Sequence, residues 1–141
     1  MNTQTKNEYM LIFRGNTWYK GLSADEMQTV STQWMAWFKG LIDQGKAISG
    51  NPLEGTGKIV SGKSGRVVAD GPFAESKEAI GGYFLLAVST LDEAVEIAKD
   101  CPGLSYGAKI EVRPVAAECP MSREAHTASH FAEQELAGKA S

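Results

Sequence analysis

Asp70-Gly71-Pro72-Phe73-Ala74-Glu75, followed closely by Ile80-Gly81-Gly82-Tyr83-Phe84-Leu85-Leu86-Ala87-Val88, is the stretch of this chain whose reading decides the fold. It predicts a turn, a short exposed segment and then the most apolar strand of the sequence. Pro72 fixes its own φ at about −65° and has no N–H to offer a strand partner. It also biases Gly71 toward extended backbone, so the carboxylate of Asp70 is presented from a stiff support. Two glycines open the strand that follows, as at a bulge or a close backbone approach. From 82 to 89 that strand is apolar on both faces, with Tyr83, Leu85 and Ala87 against Phe84, Leu86 and Val88.

Working outward, the hairpin Lys58-Ile59-Val60-Ser61 and Arg66-Val67-Val68-Ala69, turning at Gly62-Lys63-Ser64-Gly65, delivers Asp70. Before it, Ala47-Ile48-Ser49 reads as a strand and Asn51-Pro52-Leu53-Glu54-Gly55 as a turn. Ser23-Ala24-Asp25-Glu26 is a capping box that opens a helix. Met27, Val30, Trp34, Phe38 and Leu41 recur there at helical spacing, with Trp37 and Ile42 widening the stripe, and the helix stops near Gln44-Gly45. Residues 8–14 form a first strand, apolar on both faces. Thr90-Leu91-Asp92-Glu93 predicts a second capping box and a helix with Leu91, Ala94, Val95 and Ala98 inward. Residues 108–115 form the last strand, in which Ile110 and Val112 alternate with Glu111 and Arg113.

The order is β-α-β, hairpin, β-α-β. It predicts an α+β, ferredoxin-like βαββαβ fold with an inserted β-hairpin and an antiparallel sheet carrying two helices on one face. Such helices leave the second sheet face open, and an open face is ordinarily polar. Here the strands at 9–13 and 83–88 offer apolar residues to both faces. A second copy of the chain is the expected cover, in a homodimer of the dimeric α/β-barrel type.

The run DGPFAESKEAIGGYFLLAVSTLDEA resembles the signature of the YCII-related proteins, in the branch called DGPF-domain proteins. Tyr9-Met10-Leu11-Ile12, Cys101-Pro102 and Glu111-Val112-Arg113-Pro114 fit the same pattern. The resemblance covers a domain over residues 8–115; beyond it, residues 116–141 read as a C-terminal helical extension. It implies the ferredoxin-like fold and dimerisation, and it brings no defined reaction. Some relatives pair an aspartate with a histidine from the first helix. No histidine stands between Met1 and Glu118 here, so that dyad is missing.

Composition narrows the classes of function. A net charge of −3 gives no basic stripe for nucleic acid. No apolar run is long enough to span a bilayer. The polar residues 1–7 lack the apolar core of a signal peptide, so a cytoplasmic protein with reduced Cys101 and Cys119 is expected.

Asp70 is the leading catalytic candidate, as a general base or acid at the mouth of a pocket. The alternative is a turn aspartate that accepts bonds from its own loop. Glu111 and Arg113 share a strand face and could fix an anionic ligand, or simply form a surface or interface ion pair. Tyr83 could offer its phenol to a ligand or serve as core with its hydroxyl at the rim. Glu75, Lys77 and Glu78 read as a solvated turn, while Lys58, Lys63 and Arg66 make a small basic hairpin. His126 and His130 stand four apart near Glu133 and Glu135, a spacing able to hold a metal, yet they lack a defined third ligand. No cofactor and no metal are expected. Two functions fit: metal-free proton transfer of the isomerase or lyase kind on a small anionic molecule, or a non-catalytic dimeric module that binds a ligand or a protein.

Overall fold

The computed structural model describes residues 6–15, 17–72, 76, 78–122 and 124. Six strands and two α-helices follow in the order β1 (Asn7–Arg14), α1 (Ala24–Asp43), β2 (Ala47–Pro52), β3 (Lys58–Ser61), β4 (Val67–Asp70), β5 (Ile80–Val88), α2 (Leu91–Ala98) and β6 (Lys109–Pro114). Short 3-10 turns lie at Lys63–Gly65 and Pro102–Tyr106. Four strands form an antiparallel sheet in the order β2-β5-β1-β6, and β3 and β4 pair only with each other as a separate ribbon. This mixed α+β arrangement is compatible with the ferredoxin-like pattern, and the ribbon is the inserted hairpin.

Alternation decides what each sheet face does. Tyr9, Leu11 and Phe13 of β1 stand opposite Leu86, Phe84 and Gly82 of β5, and all six are buried. Leu41 of α1 and Ala94, Ile97 and Ala98 of α2 join that face in one core. Leu11 and Leu86, both 0% exposed, lie at its centre. The opposite face carries Met10 against Leu85 and Ile12 against Tyr83, all half-buried. Across β6 the same rows continue to Arg113 and Glu111.

Helix α1 starts and stops by local chemistry. Ser23 accepts from the Glu26 N–H, and the Glu26 carboxylate accepts from the Ser23 N–H, which closes the expected capping box. At the other end Gly45 takes φ +72°, and the N–H groups of Gly45 and Lys46 donate to Ile42 and Leu41. This left-handed glycine cap satisfies carbonyls the helix leaves open and turns the chain into β2.

Four local expectations are corrected. The central strand begins at Ile80 and ends at Val88, because Ile80 already stands opposite Arg14. Asn51 and Pro52 belong to β2 rather than to a turn, paired with Tyr83 and Gly82. In α2, Leu91 is 43% exposed and Ile97 is buried in its place. The second capping box is also half-made. Thr90 accepts from the Glu93 N–H, but the Glu93 carboxylate accepts from the Ser89 N–H.

No helix among the described residues is long and apolar enough to cross a membrane.

Candidate functional site

The expected site residues occupy separate places. Asp70 ends β4 opposite Lys58, the first residue of β3. The Lys58 ammonium donates to the Asp70 carboxylate, whose side chain is 73% exposed. Its partner is thus a lysine across the ribbon rather than the backbone of the Gly71-Pro72 turn. Residues 55–58 and 70–72 wall a hollow of about 470 Å³ around this pair. Phe73, Ala74, Glu75 and Lys77 lie outside the described residues, as do His126, His130, Glu133 and Glu135.

Glu111, Arg113 and Tyr83 lie on the open sheet face. Glu111 accepts from Arg14 at 3.3 Å and faces the Arg113 guanidinium at 3.6 Å. It therefore stands between two cations. Tyr83 shares a row with Glu111, separated by Ile12. Neither Arg113 nor Glu111 lines the Asp70 hollow, so the structure does not bring the candidate base and the candidate anion anchor into one cavity.

A larger cavity, about 630 Å³, opens on the helix side of the sheet. Helix α1 contributes Val30, Ser31, Trp34, Met35 and Phe38 to one wall. The loop after β1 contributes Trp18 and Tyr19, and Gly50–Leu53 of β2 and its exit close the far side. Phe13 and Phe84 form the floor, edge to face at 4.9 Å. Trp18 lies nearly parallel to Trp34, at 14° with centroids 6.1 Å apart. Trp18 can settle there because Gly103 lacks a side chain; a Cβ at Gly103 would come 3.0 Å from the indole edge. Among the described residues, none of those lining this cleft is charged. Its walls meet those of the Asp70 hollow at Gly55, which lines both.

The cleft escapes the sequence reading because its helix residues repeat at core spacing. Trp34 and Phe38 read as core, and in part they are, packed on Phe13 and Phe84. The available signal was Trp18-Tyr19, two large aromatic residues in a polar loop directly after a strand. Exposed Met27 and Met35 continue the same helix face to the rim.

The thiols stand apart from both cavities. Burial pushes the Cys101 thiol above its ordinary value. Cys119 is exposed, and the backbone amides of Ser122 and Met121 pull its thiol below that value. Among the described residues, no three His, Cys, Asp or Glu side chains gather as a metal site.

The sequence profile of the YCII-related domain matches residues 9–118, from β1 through β6 and past it. The chain belongs to the YCII-related family. Within it, 51 residues are 43% identical to an uncharacterised protein of Rhizobium meliloti (strain 1021), covering 36% of this chain and 41% of that protein. The chain thus matches less than half the length of that relative. The YCII-related span contains every residue named for the cleft, the ribbon and the open sheet face.

Proposed function

We propose that this YCII-related chain is a small-molecule-binding protein that works as a homodimer. The observation that carries the reading is the cleft of about 630 Å³, uncharged among the described residues, a volume typical of sites that bury a small organic ligand. Asp70 lines the hollow that shares Gly55 with the cleft, and in this reading its carboxylate exchanges a proton with a ligand reaching out of the cleft. That is metal-free proton transfer of the isomerase or lyase kind.

The homodimer rests on the open sheet face. Met10, Ile12, Tyr83 and Leu85 make a contiguous half-buried apolar strip that neither helix covers. A second copy would remove this strip from water in a dimeric α/β-barrel type of assembly. Arg113 and Glu111 would then lie at the margin of the interface, where Arg113 offers a place for an anionic group.

One observation favours a non-catalytic module instead: Asp70 is paired with Lys58 and largely in solvent. Asp70→Asn separates the two. A thermal-shift screen of small organic molecules on the parent protein first supplies a ligand. Catalysis requires the variant to keep the ligand's thermal shift while its turnover of that ligand falls at least a hundredfold. An unchanged fate of the ligand in both proteins leaves binding as the function.

A further inference from the structure

We propose that the cleft between α1 and the sheet takes a neutral, planar aromatic molecule and discriminates against its carboxylate counterpart. This rests on the small-molecule reading above and names the class of ligand. Trp18 and Trp34 present nearly parallel indoles. An aromatic ring gains from an offset-stacked or edge-to-face partner ring beyond the area it buries. The floor adds two more aromatic rings, Phe13 and Phe84, set edge to face with each other. A flat ring system matches these surfaces better than a flexible chain does.

Charge is decided by what the walls lack. Among the described residues, the polar side chains lining the cleft are those of Ser31, Asn51 and Tyr19, with no lysine, arginine or histidine. They can meet a phenol or a carbonyl. A carboxylate entering here would shed its water and gain no counter-ion, which opposes its binding. The nearby Lys58 is engaged by Asp70, and Arg14 and Arg113 sit with Glu111 on the other sheet face.

Calorimetric titration of the full chain with 2-naphthol and with 2-naphthoate at neutral pH tests this. The expected result is saturable 2-naphthol binding, with 2-naphthoate at least tenfold weaker. Ser31→Phe places a ring in the cleft from an exposed helix position and should weaken 2-naphthol at least tenfold. Met35→Trp, at a residue 70% exposed, does the same from the rim and guards against a folding defect in the first variant. Naphthoate binding as tight as naphthol, surviving both substitutions, overturns the neutral-ligand inference and leaves the small-molecule reading standing. Naphthol binding untouched by either substitution overturns the cleft as its site. Binding of neither compound to folded protein overturns both readings.

Discussion

Gly50 stands directly across from Phe84, and a Cβ on Gly50 would lie 2.6 Å from Cδ1 of that ring and 2.9 Å from Cε1 of Phe38. Both contacts are with aromatic rings held between α1 and the sheet, so neither can swing aside easily. Gly50→Ala should therefore destabilise the fold by about 1–3 kcal/mol through overpacking. It should also shift Phe38 and Phe84, two walls of the cleft. Urea denaturation measures the first effect, and a variant as stable as the parent would contradict it.

The capping box at Ser23 offers a separate stability test, because it is exposed and Ser23 itself lines neither cavity. Ser23→Ala leaves the Glu26 N–H without its side-chain acceptor and should cost about 1 kcal/mol. Ser23→Gly should lose only a few tenths of that amount. A Ser23→Ala variant as stable as the parent would mean that the hydroxyl contributes nothing.

The two thiols should behave oppositely. Cys119 is exposed and its thiol is drawn below the ordinary value, so alkylation should stay fast at pH values where a free cysteine slows. Cys101 is buried and should react only on unfolding. Burial holds the folded Cys101 thiol above its unfolded value, so the unfolded chain releases that proton first. Its contribution to stability is complete below the unfolded thiol value, about 8.5, and declines as pH rises from there toward the folded value. Denaturation midpoints between pH 7 and 10 should fall less steeply in Cys101→Ala than in the parent. Parallel curves would remove the thiol from the account.

The homodimer makes its own demand. Light scattering at micromolar concentration should give twice the chain mass. Leu85→Lys places a charge in the middle of the open face, opposite Met10, and should yield a monomer with an unchanged circular dichroism spectrum. A parent protein that runs at one chain mass refutes the interface.

Much of the fold was legible because its signals are local. Ser23 and Glu26 are three residues apart, the glycines at 62 and 65 mark the hairpin turn, and alternation in β1, β5 and β6 assigns faces directly. Where a signal was short or relational, the reading slipped. An eight-residue helix spans too few turns to fix its phase, so α2 turned Ile97 inward rather than Leu91. Starting the second ribbon arm at Arg66 leaves Asp70 beyond the pairing; the arm starts at Val67, and that register sets Asp70 opposite Lys58. The cleft was illegible for a different reason. Helical periodicity reports that Trp34 and Phe38 share a face, but not that Trp18 arrives from a loop to stand beside them.

The ribbon of β3 and β4 pairs with neither edge of the four-stranded sheet. Chain length is consequently a free variable at its tip. Residues gained or lost around Ser64 change how far the arm reaches without moving the register of any strand beneath the cleft. On this scaffold, the tip of the ribbon can drift in evolution while the strands beneath the cleft stay put. The same tip is the natural place to splice in a reporter or an affinity handle.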